Sequence, residues 1–170
     1  MRAGIDARGY WGGRARRKTQ TESALGRAGM TPRLLRAYRA TTYRAAGIEV
    51  QVGRRCPAMD ALLNRWAKRE AAFVGAANPF STRKPDGWNR RMHAALCATA
   101  HCYPSAPGEG VWRRWREPNI LLGAPPAVAS VLARRFRQAA IIVVARGRPA
   151  RLALLLAPTP ARPCASPAAP

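Results

Sequence analysis

The chain has 170 residues, with 30 Lys and Arg against 8 Asp and Glu, a formal net charge of +22 and a pI near 11.8. That length suits one domain able to bury a core without metals or disulfides. The four cysteines, Cys56, Cys97, Cys102 and Cys164, stand at irregular spacings without a CxxC pair, so they read as reduced, intracellular thiols and exclude a disulfide framework.

Charge of this size points to a polyanion, because clustered Lys and Arg release counterions from nucleic acid. Only Lys18, Lys68 and Lys84 are lysines; the rest is arginine in a chain rich in alanine and proline, the composition that GC-rich codons write. Arginines also fall throughout, at Arg36, Arg55, Arg69, Arg114, Arg135 and Arg148, rather than along one helix face. Nucleic acid therefore stands as an alternative partner.

Residues 1–29 carry Gly, Arg, Ser and Thr without an apolar period and are expected to be disordered. Patterned sequence begins directly after Met30, which suggests Met30 as the start of translation; peptides from residues 1–29 of the native protein would refute that. No apolar segment follows the basic stretch GGRARRKTQ, so no secretory or twin-arginine leader is expected. RAYRATTYRA (36–45) and IEVQVG (48–53) alternate and predict two early strands. Pro57 opens PAMDALLNRWAKR, where Met59, Leu62, Leu63 and Trp66 mark the buried face of a helix started by proline.

AAFVGAA (71–77) is short, apolar and unalternating, as expected of a strand covered on both sides. WNRRMHAALCATA (88–100) predicts a helix with Trp88, Met92, Ala95, Leu96 and Thr99 inward and Asp86 as N-cap. HCYP (101–104) reads as a brief strand, APGEGVWRRWRE (106–117) as a Gly-broken loop and PNILLGA (118–124) as a strand. PPAVASVLARRF (125–136) reads as a helix with Val128, Val131, Leu132 and Phe136 inward. AAIIVVA (139–145) and RLALLLA (151–157) read as two strands joined by the turn RGRP. The longest apolar runs fall far below the ~18–20 residues that span a bilayer, so a soluble, cytoplasmic protein with no membrane partner is expected. APTPARPCASPAAP predicts an extended Pro/Ala tail over 157–170. The order β-β-α-β-α-β-β-α-β-β predicts a single small α/β domain over 31–156, a mixed sheet with about three packed helices.

The run YRATTYR (38–44), the strand and loop FVGAANPFS (73–81), Asn89 with Arg90, GEG (108–110), WREPNILLG (115–123) and LARRFRQAAI (132–141) occur in that order. Together they resemble the bacterial domain of unknown function family 3293, over residues 31–156. The resemblance brings no activity with it. Family members tend to carry Trp or Phe where this chain has Ala77, Ser at Asn119, and Gly and Asn at Arg137 and Ala139; the exchange at Arg137 bears on a tight turn after the helix over 125–136.

The loop AANPFSTRKPDGWNRR (76–91) holds the candidate site. In open α/β sheets ligands bind beyond the carboxyl ends of strands, where a following helix offers unpaired N–H groups. Asn78 and Ser81 leave such a strand, Asn89 and Arg90 open the next helix, and Arg83 and Lys84 add charge, so a small anionic or nucleotide-like ligand is the expected partner. Structurally, Asn78 before Pro79 would fix an extended bend and Asn89 would tie loop to helix. Glu117 reads as a general base or as orienting Arg90 or another guanidinium, or more simply as an ion pair that holds the loop. Gln138 reads as a backbone tie or a ligand contact. His93, Cys97, His101 and Cys102 lack metal-site spacing, so no metal is expected. No P-loop, nucleophile elbow, HExxH or GxGxxG occurs, so no cofactor is expected and catalytic residues and oligomeric state stay open.

Overall fold

The computed structural model describes residues 30–155; the expectations for residues 1–29 and 157–170 lie outside the described residues. Helix α1 (Pro32–Ala40) comes first, followed by β1 (Thr42–Ala45), β2 (Ile48–Gln51), α2 (Pro57–Arg65) and β3 (Glu70–Gly75). A short 3₁₀ turn (Pro79–Ser81) leads to α3 (Asp86–Thr99), β4 (Ser105–Trp112), β5 (Trp115–Leu122), α4 (Pro126–Arg135), β6 (Ala140–Ala145) and β7 (Arg151–Leu154). The chain is a single α/β domain, with one helix more than the sequence suggests. Among the described residues no helix is long and apolar enough to cross a membrane.

The seven strands form one sheet in the order β2-β1-β4-β5-β3-β6-β7. Within it, β3-α3-β4-β5-α4-β6 is a βαββαβ unit with spatial order β4-β5-β3-β6, the split arrangement of ferredoxin-like folds. Interleaved helices suggest parallel ladders, yet every pairing is antiparallel. The reason is topological: each helix crossover skips a strand, so β5 lies between β3 and β4, and β3 between β5 and β6. The parallel partners never touch, and the sheet is antiparallel rather than mixed.

Alternation sorts the strands onto two faces. On one face Ala72 and Val74 of β3, Ile120 and Leu122 of β5, and Ile141 and Val143 of β6 pack against Leu96 of α3 and Ala129 and Ala133 of α4. On the other, Phe73, Leu121, Ile142 and Val144 pack against Met59, Leu62 and Leu63 of α2. Strand β3 is thus buried on both sides, which accounts for its unbroken apolar run.

Several readings from the sequence are corrected. The first half of RAYRATTYRA is helical: Thr31 caps α1 by accepting from Leu34 N at 3.2 Å, Pro32 occupies the first turn, and only Thr42–Ala45 is strand. HCYP is a turn, and the supposed loop APGEGVWRRWRE is most of a hairpin, β4 paired with β5 along its whole length. Gly108 and Gly110 sit inside β4 because neighbours cross it closely; a Cβ on Gly108 would lie 2.5 Å from Asn119 Oδ1 and 2.7 Å from the Arg44 carbonyl oxygen. On the helices, Val131 is exposed while Ala129 and Ala133 face inward, Ala95 and Thr99 are exposed beside a buried Leu96, and Pro85 rather than Asp86 stands at the N-cap of α3.

Candidate functional site

Register leaves a gap in the sheet. Strand β3 ends at Gly75, opposite Asn119, whereas β5 continues toward the hairpin tip through Pro118 and Glu117. Beyond Gly75 the edge of β5 has no strand partner, and the chain turns away through Ala76 and Ala77 to Asn78. Helix α1 lies over this gap without burying any residue fully. What remains is a cavity of about 270 Å³, walled by Leu34, Ala37 and Tyr38 of α1, Tyr43, Phe73, Trp112 and Trp115. Tyr43 and Phe73 meet with ring centroids 5.6 Å apart.

The polar loop forms one end. Asn78, Phe80 and Ser81 all take left-handed backbone conformations, with φ of 47, 52 and 59°, a costly set for residues that are not glycine. Asn78 is therefore left-handed, not the extended bend expected before Pro79. Hydrogen bonds hold the loop there: Asn78 N donates to Asn89 Oδ1 at 3.0 Å, Asn89 Nδ2 donates to Asn78 Oδ1 at 3.1 Å and to the Lys84 carbonyl at 3.2 Å, and Lys84 N donates to Asn78 Oδ1 at 3.0 Å. From the other side, Phe80 N donates to the Arg137 carbonyl at 2.8 Å and Gln138 Nε2 to the Ala77 carbonyl at 2.9 Å. Arg137 itself holds φ of 55° at the end of α4, with Arg137 N donating to the Arg134 carbonyl and Gln138 N to the Ala133 carbonyl. The tight turn that glycine would favour is made here with arginine.

Of the six residues singled out in the sequence, Asn78, Ser81, Glu117 and Gln138 line the cavity. Asn89 stands one layer behind, bonded to Asn78. Arg90 does not join them; it is exposed on α3 beside Gly87. Glu117 makes no ion pair with Arg90 or any other cation among the described residues. Its Oε1 accepts instead from Asn78 Nδ2 at 3.1 Å. Burial raises the Glu117 pKa above the usual carboxylate value, against the lowering effect of the neighbouring polar groups of Asn78 and Trp115. Burial likewise raises the hydroxyl pKa values of Tyr38 and Tyr43, with Glu117 adding to both, so both tyrosines are neutral donors. The Tyr43 hydroxyl donates to the Tyr38 carbonyl at 3.3 Å.

Sequence reasoning missed Asn119 and the aromatic walls. Asn119 is only 6% exposed, lines the cavity and leaves Oδ1 buried without a donor. The signal was present: Glu117 and Asn119 are two apart on a strand and so share a face, opposite Gly110 and Gly108 at the same alternation. Reading the glycines as loop residues hid it. Away from the cavity, Cys97 Sγ is 3.8 Å from His93 Nε2 and Cys102 Sγ 3.3 Å from His101 Nε2, and among the described residues no group of three or more His, Cys, Asp or Glu gathers for a metal.

The segment that builds this arrangement, from the last residues of β3 to the start of β6, can be compared with known families. The model of a family described as a protein of unknown function, DUF3293, matches residues 74–141. The family expected from the sequence is the one that matches. The DUF3293 span contains Asn78, Asn89, Glu117, Asn119 and Gln138, whereas α1, which roofs the cavity, lies before it. No curated protein and no solved structure matches the chain.

Proposed function

We propose that the protein binds a small molecule in the cavity between α1 and the exposed edge of β5. One observation carries this reading: a half-buried carboxylate, Glu117, and the buried side chain of Asn119, whose Oδ1 has no donor, share one face of β5 along an apolar, aromatic-walled space. An unpaired buried acceptor costs on the order of 1–3 kcal/mol, and a pocket with a few converging polar groups on apolar walls is the common form of a ligand site. Asn78 and Ser81, from the loop on which an anionic or nucleotide-like ligand is expected, reach the cavity, whose ring-sized apolar part suits a nucleobase-like body, but among the described residues no Lys or Arg lines it to meet an anionic group. The guanidinium of Arg90, which would have met the anionic part, lies elsewhere.

The test is a thermal-shift screen of the full chain against a metabolite library, repeated on Ala37→Trp, which fills the cavity from the half-buried face of α1. Ligands are expected to raise the Tm of the parent protein and to lose that effect in the variant. Hits that stabilise both proteins equally, or no hit at millimolar concentration, would remove the reading.

A further inference from the structure

Resting on that reading of the cavity, we infer that its ligand is an organic monocation: an amine or amidine carried on a compact, ring-sized apolar body.

Two neighbouring carboxylates of this sheet, Glu49 and Glu109, are held by guanidinium groups. On the opposite face of the β1-β4-β5 patch, Glu109 accepts from Arg116 at 2.9 Å and lies 3.7 Å from Arg44, which also reaches Glu49 at 2.8 Å. Both carboxylates there, Glu49 and Glu109, have a guanidinium. One residue along β5, on the cavity face, Glu117 has none among the described residues, in a chain of 30 Lys and Arg. Its hydrogen bond from Asn78 occupies one of the roughly four lone-pair positions a carboxylate offers. A charge partly withdrawn from water is stabilised by an opposite one, and the described residues supply none to Glu117, so a cation suits the cavity beside it.

The surroundings select the same charge. Asn119 adds an acceptor without a donor. Tyr38, Tyr43, Phe73 and Trp115 line the cavity with aromatic rings, whose faces attract cations, as the Trp112 ring already does the Arg113 guanidinium at 5.3 Å. Among the described residues no Lys or Arg lines the cavity, so an anion would meet Glu117 with nothing to balance it. The high net charge sets a condition: the protein's field repels a cation at long range, and salt screens that repulsion within a Debye length of about 8 Å at physiological ionic strength. Affinity for the ligand should therefore hold or rise with added salt, opposite to the behaviour of a nucleic-acid contact.

Three probes of one shape and different charge decide it: benzamidinium, benzamide and benzoate, titrated calorimetrically into the full chain. The inference expects benzamidinium to bind at least tenfold tighter than benzamide, with benzoate weakest, and expects Glu117→Gln to reduce the first two to within about threefold of each other. Benzoate binding as tightly as benzamidinium overturns the inference and leaves the cavity reading standing; so does a preference that survives Glu117→Gln. Binding by none of the three overturns both. Should Glu117→Gln not fold, the parent protein carries the test, because benzamidinium stays charged across the accessible range. Its affinity must then fall as pH drops through the Glu117 titration, where Tyr38 of α1 and Tyr43 of β1, the other titratable groups facing Glu117, stay neutral. A pH-independent affinity contradicts the inference.

Discussion

The two faces of the sheet use the same strands to opposite ends. Beneath α3 and α4, every inward position from β3, β5 and β6 is filled by an aliphatic side chain against Leu96, Ala129 and Ala133. On the other face the same filling holds only under α2; past it, toward the hairpin tip, Leu121 gives way to Asn119 and Glu117, and α1 spans a void rather than closing it. Strand β5 shows the contrast within one element, with Ile120 and Leu122 sealed in the dense face while Asn119 and Glu117 line the open one. The lesson is that stability and ligand capacity are divided by side-chain parity: one face can tolerate an orphan acceptor because the other is filled by aliphatic side chains.

Deleting packing on the dense face should have the largest effect. Leu96→Ala, at a fully buried position, is expected to cost about 2–5 kcal/mol by the lost transfer energy and the cavity left behind, read from the urea midpoint. Ala37→Trp on α1, which fills existing space, should cost far less, and equal losses would erase the distinction between the faces. Next comes Gly108→Ala. Its new Cβ would strike Asn119 Oδ1 and the Arg44 carbonyl, so a loss of ~1–3 kcal/mol is expected from overpacking.

On the open face the sign reverses. Asn119→Leu, similar in shape and without an unpaired acceptor, is expected to raise stability by about 1 kcal/mol while weakening ligand binding. Glu117→Gln sharpens the same point through pH. Because burial holds the folded carboxyl above its unfolded value, the native state binds the extra proton between those two values. The stability linked to Glu117 is therefore full below the unfolded pKa and is lost as pH rises through the folded one. The variant should gain on the parent across that interval, checked by denaturation at a series of pH values; a difference that is flat with pH would show the carboxyl is not buried as described. The smallest effect is expected from Arg137→Gly, which relieves a left-handed arginine and should add up to about 1 kcal/mol, seen as a small rise in Tm.

Much of this fold could be read from residue order. The period of α2, the unbroken run of β3, the turn between β6 and β7 and the class of the domain follow from patterns that local physics imposes. The failures share one cause, which is tertiary contact overriding local propensity. Gly108 and Gly110 look like breakers until Asn119 and Tyr43 are seen to cross them, so the hairpin passed for a loop and its cavity-lining residues went unnoticed. Helix α1 announced itself in Thr31 and Pro32, a cap and a first-turn proline, but the alternating tyrosines and threonines downstream spoke for a strand. The loop from Asn78 was recognised as a polar cluster tied to Asn89, whereas its direction was not: only coordinates show Asn78 turning to Glu117 while Arg90 stays in solvent.

The most direct measurement is an amide-resolved NMR titration of the full chain with benzamidinium. If the cavity is the site, shift changes concentrate at Tyr38, Gly75, Gly110, Glu117 and Asn119 and spare the α3 and α4 face around Leu96 and Ala129. Shifts gathered along α3 and α4 instead, or none at the open edge of β5, would contradict the account.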